Sequence, residues 1–421
     1  HHPYHFQANV TKSSPFAQRY LEVNLPSDSN PLRGYCNLFL YHVVKKWKHY
    51  RQYMPQQNGR GTGRPRERGI RSINPELIGN SDGEGRHKPP SKYEDKWLVS
   101  GSIGSRLWNK SAIGFQMDEG TLLMPEEVLF CHWHRHLPLP NSNWLNDILS
   151  EDPFLLHRAA AMNTIREPGD LLVLTDSTEL ESNEESWGLR WNRGEHPTRD
   201  SPSAEIRWVM NSSEIKWEKL FDWAKTVQSN NRMAEILVVD GEFDVTAYRL
   251  KITNPEGELK LPSDLKKEDY DLIYQAWEQR VQSGEGFWIP IDSSVMPLPQ
   301  LGVPQASGIW LAEIEQAWLK SKFDSDELGE IGQIYEHLLE KGLWPRPGFK
   351  YGCRWRVYSG DISSQHAPWL IVPNCEAPTN WNEACLAARL SAGVNKSWLC
   401  AMKFEENVCF IELCRWSPGK A

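Results

Sequence analysis

The chain lacks several features that would assign it to a familiar class. No run of about twenty apolar residues is present, so we expect no membrane-spanning helix. The eight cysteines contain no CxxC pair and no regular framework, which argues against a zinc ribbon or a disulfide scaffold. A basic excess is also absent, since the net charge is -8 and the pI about 6.0. This excludes coating of nucleic acid through overall charge, but not a local basic site. Because no signal pattern opens the sequence, we expect a soluble, unexported protein in a reducing compartment.

Length and tryptophan are what the chain has in quantity. At 421 residues it is too long for one ordinary domain, and we expect two to four compact units with their own cores. The 20 tryptophans lie mostly within apolar runs, where a large aromatic side chain is typical of a core or an interface. The sequence therefore indicates a folded protein of several domains.

The first 95 residues differ in composition from the remainder. Residues 35–53 predict an amphipathic helix with a basic C-terminal end, which the helix dipole favours. Residues 56–90 are rich in Gly, Arg, Pro and Asn, a composition that buries too little apolar surface to fold. We predict an N-terminal extension with a flexible linker, whose arginines either contact RNA phosphates or are simply solvated.

One group of potential metal ligands occurs early in the globular part, namely Cys131, His132, His134 and His136. His132 and His136 share a helical face, which is one requirement of a metal site. No matching second group of ligands is visible in the sequence. We therefore predict neither a metal nor any other cofactor.

The same order of elements is predicted twice from residue 96 onward. The first set comprises helices at 122–133 and 154–165, a strand at 170–174, a helix at 214–230, and strands at 234–240 and 245–252. The second set comprises helices at 308–320 and 331–341, a strand at 354–358, a helix at 382–395, and strands at 398–404 and 408–416. Asn231-Arg232 align with Asn395-Lys396 without a gap before the final turn. We therefore predict two tandem copies.

These elements predict an α/β (α+β) fold in two tandem repeats. Each repeat would have an N-terminal helical and small-sheet subdomain, followed by a nuclease-type mixed β-sheet flanked by helices. The predicted boundaries are 1–95 for the extension and linker, 96–166 and 167–253 for the first repeat, and 254–345 and 346–421 for the second.

The second copy contains residue types suited to cutting RNA without a metal. Such cleavage needs a base for the 2′-hydroxyl proton, an acid for the leaving 5′-oxygen and a cation for the charge on the phosphorane. His366 suits the acid, since the reference pKa of histidine is about 6.5. Tyr358 would need a nearby cation such as Lys396 to act as a base, because the reference pKa of tyrosine is about 10. Taken singly, each residue is more commonly explained by packing or solvation, so their spacing alone does not decide.

The motifs around these residues resemble the catalytic domain of the tRNA-splicing endonucleases. They are GFKYGCRWRVY at 348–358, SGD at 359–361, His366, ARL at 388–390 and VNK at 394–396. The resemblance is specific over 335–416 and fainter over 122–252. It implies that Tyr358 is the general base, His366 the general acid and Lys396 the residue that stabilises the transition state. It also implies 2′,3′-cyclic phosphate and 5′-hydroxyl products without a metal.

Two further positions match the family. Arg389, and less closely Trp416, resemble the pair that sandwiches a bulged base at the splice site. A guanidinium and an indole can hold any base through cation–π and stacking contacts, which suits recognition by RNA shape. Core packing is an equally good explanation of Trp416.

The first copy departs from the catalytic pattern. With Gly169 aligned on Gly352, the residues at or near the catalytic positions are Thr175, Asn183 and Arg232. Because this copy has neither the base nor the acid, we expect it to be inactive.

The turn between the last two strands of the first copy is acidic, with Asp240, Glu242 and Asp244. Residues 230–252 are similar to the structural half of two-repeat archaeal splicing endonucleases. In those enzymes an acidic loop docks into a basic groove and joins two chains, and these carboxylates could do the same electrostatically. A plain exposed hairpin is the alternative.

The resemblance thus implies a tRNA-intron endonuclease that cleaves precursor tRNA at a bulge–helix–bulge as a homodimer, with no membrane partner. The archaeal likeness implies a cytoplasmic location, or a nuclear one in a eukaryote. A metal-dependent nuclease is the enzymatic rival, although Asp361 and Glu412 are poorly spaced as its carboxylates. A non-catalytic RNA-binding or assembly subunit is the other rival.

Overall fold

The computed structural model describes residues 87–405 and 407–419. The helix predicted at 35–53 and nearly all of the linker predicted at 56–90 lie outside these residues. Within them, no helix combines the length and the apolar character needed to cross a membrane.

The first half begins with a small antiparallel sheet and ends with five strands of a large one. Its helices are α1 (Gly101–Ser111), α2 (Pro125–Arg135), α3 (Trp144–Glu151), α4 (Leu155–Arg166) and α5 (Trp217–Ser229). Its small-sheet strands are β1 (Ser91–Tyr93), β2 (Lys96–Ser100), β3 (Phe115–Met117) and β4 (Gly120–Leu123). Its large-sheet strands are β5 (Leu171–Leu174), β6 (Gly188–Trp191), β7 (Ala204–Met210), β8 (Met233–Val239) and β9 (Val245–Thr253).

The second half is built from the same two parts. Its helices are α6 (Lys267–Glu278), α7 (Glu313–Phe323), α8 (Glu330–Glu340) and α9 (Trp381–Ala392). Its small-sheet strands are β10 (Val281–Ser283), β11 (Gly286–Ile289), β12 (Val303–Gln305) and β13 (Gly308–Leu311). Its large-sheet strands are β14 (Trp344–Pro347), β15 (Trp355–Tyr358), β16 (Trp369–Pro373), β17 (Ser397–Phe404) and β18 (Asn407–Trp416).

One ten-stranded sheet joins the two halves, in the order β14-β15-β16-β17-β18-β9-β8-β7-β6-β5. In each half the third and fourth large-sheet strands are parallel to each other. All remaining neighbouring pairs are antiparallel. The halves meet where β18 pairs with β9, with Leu413 opposite Leu250. The fold is of the α+β class. The two halves share strand order and direction, while their origin as a tandem repeat stays a prediction.

Helices cover both faces of this sheet because its strands alternate apolar side chains between two cores. On one face α5 and α9 pack together, and the rings of Trp217 and Trp398 are 5.2 Å apart. On the other face α8 covers the second half and α4 covers the first. Polar side chains of the large sheet therefore reach solvent most readily at the ends of its strands.

Two predicted helices start later than their patterns suggested. The helix predicted at 122–133 begins at Pro125, and the one predicted at 308–320 begins at Glu313. In both cases the preceding apolar residues form a strand of a small sheet. Each helix is fixed at its start by a glutamate that accepts a backbone hydrogen bond, from Met124 to Glu127 (3.0 Å) and from Ala312 to Glu315 (2.6 Å).

Candidate active site

The sheet brings the three predicted catalytic residues to one edge. Val357 of β15 pairs with Trp369, the first residue of β16, which in turn pairs with Ser397, the first residue of β17. Tyr358 is therefore the last residue of β15 at this edge. His366 and Lys396 lie just before β16 and β17 at the same edge. Neighbouring strand ends, rather than sequence proximity, bring these side chains into one region.

Lys396 is held by the tight connection between α9 and β17. Asn395 has a left-handed backbone (φ 53°), a conformation that asparagine tolerates better than most residues. The Lys396 amide then donates to the Ser391 carbonyl (3.0 Å), and its ammonium donates to the Ala367 carbonyl. Burial, followed by the nearby Arg356 guanidinium, lowers the pKa of Lys396. The lysine is thus a partly desolvated cation directed toward the loop that carries His366.

Tyr358 belongs to the face of β15 that looks toward α9. Trp355 and Val357 point into the core beneath α8, so Arg356 and Tyr358 alternate to the opposite face. The Arg356 guanidinium carbon is 5.8 Å from the centroid of the Tyr358 ring. The ring is half-buried, and no hydrogen bond to its hydroxyl occurs within the described part of the chain.

His366 lies in the loop that connects β15 to β16. Asp361 organises this loop: its carboxylate accepts from the Ser363 amide (2.8 Å), and its carbonyl accepts from the Gln365 amide (3.1 Å). The Ser363 hydrogen bonds lower the pKa of Asp361. The imidazole is exposed and has no hydrogen-bond partner among the residues described. It is therefore accessible to an RNA strand crossing the sheet edge.

The predicted pair of base-binding residues is separated in this chain. Arg389 is an exposed residue of α9, on the face that also holds Tyr248 and Arg415. Trp416 lies on the opposite face, where its ring centroid is 5.1 Å from the Arg190 guanidinium carbon and 4.4 Å from that of Arg249. Trp416 and Arg389 therefore lie on opposite faces of the sheet, because successive residues of β18 alternate between faces. Their role as a base-binding pair stays a prediction.

The acidic turn is ordered by its own carboxylate. Asp240 accepts hydrogen bonds from the amides of Glu242 (2.8 Å) and Asp244 (2.9 Å). Asp240 and Asp244 also line a cleft that contains Arg389 and Arg415 of the second half. The turn is exposed apart from Asp240, which is half-buried. Its role in joining two chains stays a prediction.

The sheet register corrects the comparison between the two halves. Tyr358, the last residue of β15, pairs with Trp344, the first residue of β14. The corresponding pair in the first half is Trp191, the last residue of β6, with Leu171, the first residue of β5. The predicted match of Tyr358 with Thr175 is wrong because the sequence pattern misses β14, which shifts the alignment by one strand. The His366 position, three residues before a parallel strand, corresponds to Ser201 rather than Asn183.

The third position of the first half agrees with the alignment. Asn231 has the same left-handed backbone as Asn395 (φ 55°), so Arg232 takes the place of Lys396. Arg232 forms an ion pair with the fully buried Glu205 (2.9 Å). The first half therefore has an indole, a hydroxyl and a neutralised cation at the three positions.

Two of the early histidines have hydrogen-bond partners within the protein. His132 Nδ1 is 2.9 Å from the Leu137 carbonyl, and His134 Nε2 is 2.6 Å from the Asn163 side-chain oxygen. Over 87–405 and 407–419, no three His, Cys, Asp or Glu residues are grouped as metal ligands would be.

Comparison with known proteins bears on the same part of the chain. Residues 331–409 match the family model described as the tRNA intron endonuclease, catalytic C-terminal domain. A tRNA-splicing endonuclease of Methanosarcina acetivorans is 23% identical over 250 residues, which are 53% of this chain and 70% of that protein. A tRNA-splicing endonuclease of Methanopyrus kandleri is 31% identical over 86 residues, 20% of this chain and 47% of that protein.

The matched range includes Tyr358, His366 and Lys396, together with the strands that bring them to one edge. The second half of the chain thus carries the catalytic domain of a class of endoribonucleases. More particularly, this domain matches that of the tRNA intron endonucleases, and 53% of the chain is similar to proteins named tRNA-splicing endonuclease.

Proposed function

We propose that this protein cleaves the intron from precursor tRNA at bulge–helix–bulge sites, by metal-independent attack of the 2′-hydroxyl. The observation that carries the proposal is the convergence of Tyr358, His366 and Lys396 at one sheet edge within the matched catalytic domain. These side chains supply a base, an acid and a cation, which are what this reaction requires.

In the proposed reaction Tyr358 takes the proton of the 2′-hydroxyl, and the 2′-oxygen attacks the adjacent phosphorus. The bond from phosphorus to the 5′-oxygen breaks, and His366 gives a proton to that oxygen. Lys396 balances the negative charge on the phosphorane. The products are a 2′,3′-cyclic phosphate and a 5′-hydroxyl, and no external reactant is consumed.

The first half would serve as a scaffold in this scheme. Its counterpart positions offer no base or acid, and Arg232 is already neutralised by Glu205. We infer that two chains pair as a homodimer through Asp240, Glu242 and Asp244, and that Arg389 contacts the RNA near the cut. The likeness to archaeal enzymes favours a cytoplasmic setting, or a nuclear one in a eukaryote.

The direct test is incubation of the protein with an intron-containing precursor tRNA in excess EDTA, followed by end-group analysis of the fragments. We expect excision of the intron with cyclic phosphate and 5′-hydroxyl ends. Dependence on magnesium, with 5′-phosphate ends, would contradict the proposal and favour a metal-dependent nuclease.

Two substitutions then test the assignment of roles. His366→Ala and Tyr358→Phe should each slow single-turnover cleavage by about 10²- to 10⁴-fold, the usual contribution of a positioned acid or base. RNA binding should change little, because neither change removes a lysine or an arginine from the protein. Tyr274→Phe is the matched control, since Tyr274 is an exposed tyrosine on α6 of the small-sheet subdomain. Unchanged excision by His366→Ala would indicate that this edge is not catalytic.

A further inference from the structure

Arg356 is a charged residue at the candidate site to which no role has been assigned. It lies two residues before Tyr358 on β15, on the same face of the sheet, and its guanidinium carbon is 5.8 Å from the Tyr358 ring centroid. Its cross-strand partner on β16 is Leu370, whose side chain belongs to the core beneath α9. Arg356 is therefore directed toward the face from which Lys396 also projects.

The charge of Arg356 has no ion-pair partner among residues 87–405 and 407–419. Neither Arg356 nor Lys396 takes part in a salt bridge within the described ranges. The Arg356 Nε is buried and lacks a hydrogen-bond acceptor there. Arg354, which immediately precedes β15, does have such a partner, because two of its nitrogens donate to the Glu376 carboxylate. The two side chains are thus chemically identical, but the charge of Arg354 is paired with a carboxylate and that of Arg356 is not.

Two uncompensated cations close together are unfavourable, and the cost increases with burial. The register brings the two residues near each other: Arg356 pairs with Leu370 of β16, and Lys396 immediately precedes Ser397, which pairs with the neighbouring Trp369. In keeping with this, burial and then the Arg356 charge lower the pKa of Lys396. An anion between the two cations would offset this cost. A guanidinium can donate two parallel hydrogen bonds to phosphate oxygens, which an ammonium cannot.

We propose that Arg356 and Lys396 together bind the phosphate that is cleaved, so that Arg356 is a second cation for the phosphorane. The inference rests on the proposed function and deepens it. Lys396 would supply a point charge, and Arg356 would orient the non-bridging oxygens beside Tyr358. The buried Nε of Arg356 would thereby gain the acceptor that it lacks.

The test compares Arg356→Gln and Arg356→Lys with the matched control Arg354→Gln. Binding is measured with a precursor tRNA that carries a 2′-deoxy nucleotide at the cut site and cannot be cleaved, across a range of salt concentrations. Single-turnover cleavage is measured with the normal RNA. Circular dichroism and the thermal midpoint verify that each variant is folded.

We expect Arg356→Gln to reduce the salt slope of binding, in log–log form, by roughly 0.7 to 0.9, the value for one lost phosphate contact. Its cleavage rate should fall by about 10²- to 10³-fold, as when a transition-state donor is removed. Arg356→Lys should keep the slope and recover part of the rate, and Arg354→Gln should match the wild type in both.

An unchanged salt slope in folded Arg356→Gln, or an equal change in Arg354→Gln, would overturn the inference. The binding measurement needs no turnover, so it decides the question even for an inactive protein. Failure of the wild type to cut in EDTA would instead contradict the proposed function, and the two failures are distinguishable.

Discussion

Replacement of Trp416 by alanine should destabilise the fold and should not selectively weaken RNA binding. Trp416 is half-buried at the end of β18, directly opposite Ala247 of β9. Its ring makes cation–π contacts with the guanidinium groups of Arg190 and Arg249. Both arginines also bind the fully buried Glu235, at 2.7 and 3.0 Å. The indole therefore covers a buried charge network at the junction of the two halves.

The expected cost follows from the packing and the cation–π interactions that the substitution removes. Deletion of a buried tryptophan side chain costs about 3–5 kcal/mol, and a half-buried one less. Two cation–π interactions add about 0.5–2 kcal/mol each, more when desolvated. We therefore expect Trp416→Ala to lower the free energy of unfolding by about 3 kcal/mol. Trp416→Phe should lower it by about 1 kcal/mol, because an aromatic ring remains in contact with the two guanidinium groups.

Urea unfolding followed by circular dichroism measures these changes, and filter binding of uncleavable precursor tRNA measures affinity. Arg389→Ala is the useful comparison, since Arg389 is exposed on α9 and its loss should change stability by less than about 0.5 kcal/mol. We expect weaker RNA binding only in Arg389→Ala. A fully stable Trp416→Ala protein with strongly reduced affinity would refute the argument and restore Trp416 as an RNA-binding residue.

Two further predictions concern pH. Because the pKa of Lys396 is lowered, RNA affinity should decline as pH rises, and the decline should begin below the ordinary pKa of lysine. Lys396→Arg should retain its affinity over the same range. Equal pH profiles for the two proteins would contradict this. Burial raises the pKa of Glu127 from 4.5 to about 7, so the folded protein retains a proton that the unfolded chain releases within this window. The free energy of unfolding should therefore fall as pH rises from 4.5 to 7, by up to roughly 3 kcal/mol. In Glu127→Gln that decline should be absent when urea unfolding is compared at pH 4.5 and pH 7. A decline that persists in this variant would show that another group is responsible.

The parts of the fold that the sequence predicted well are those with strong local patterns. The helix that precedes each final strand pair and the strand pair itself have clear apolar periodicity, and their observed bounds lie close to the predicted ones. The alignment of Asn231 with Asn395 was also correct, and both residues have the left-handed backbone that ends the same kind of turn. Local propensity is sufficient to predict such features.

The missed strands are those whose composition disguises them. β14 contains two prolines, which an edge strand of the ten-stranded sheet tolerates but a sequence pattern does not suggest. β6 is short and buries Arg190, and β7 buries Glu205, so neither shows the alternation typical of a strand. These charges are accommodated by partners elsewhere in the chain, such as Glu235 for Arg190 and Arg232 for Glu205, which no local pattern reveals. The omission of β14 led directly to the wrong counterpart for Tyr358.

The candidate site likewise contains residues that local sequence motifs predict and residues whose positions depend on the fold. Tyr358, His366 and Lys396 were found through motifs, and the structure brings their strand ends to one edge. Arg356 was not singled out, although its spacing of two from Tyr358 on a strand was a usable signal. The face occupied by Trp416 depends on the register between β18 and β9, which links residues about 170 positions apart and is accessible only from the fold.

The contrast between Arg232 and Lys396 explains how one scaffold can carry chemistry in only one half. Both residues follow a left-handed asparagine and precede a strand parallel to its neighbour, so the backbone directs them equivalently. In the first half the neighbouring strand supplies Glu205, and the cation is consumed by an internal ion pair. In the second half the sheet register puts Leu370 in the place of Glu205, and Lys396 keeps its charge for a ligand. A carboxylate at position 370 should therefore disable the edge, because Leu370→Glu would neutralise Lys396 just as Glu205 neutralises Arg232. It should also lower the free energy of unfolding, since Leu370 is buried.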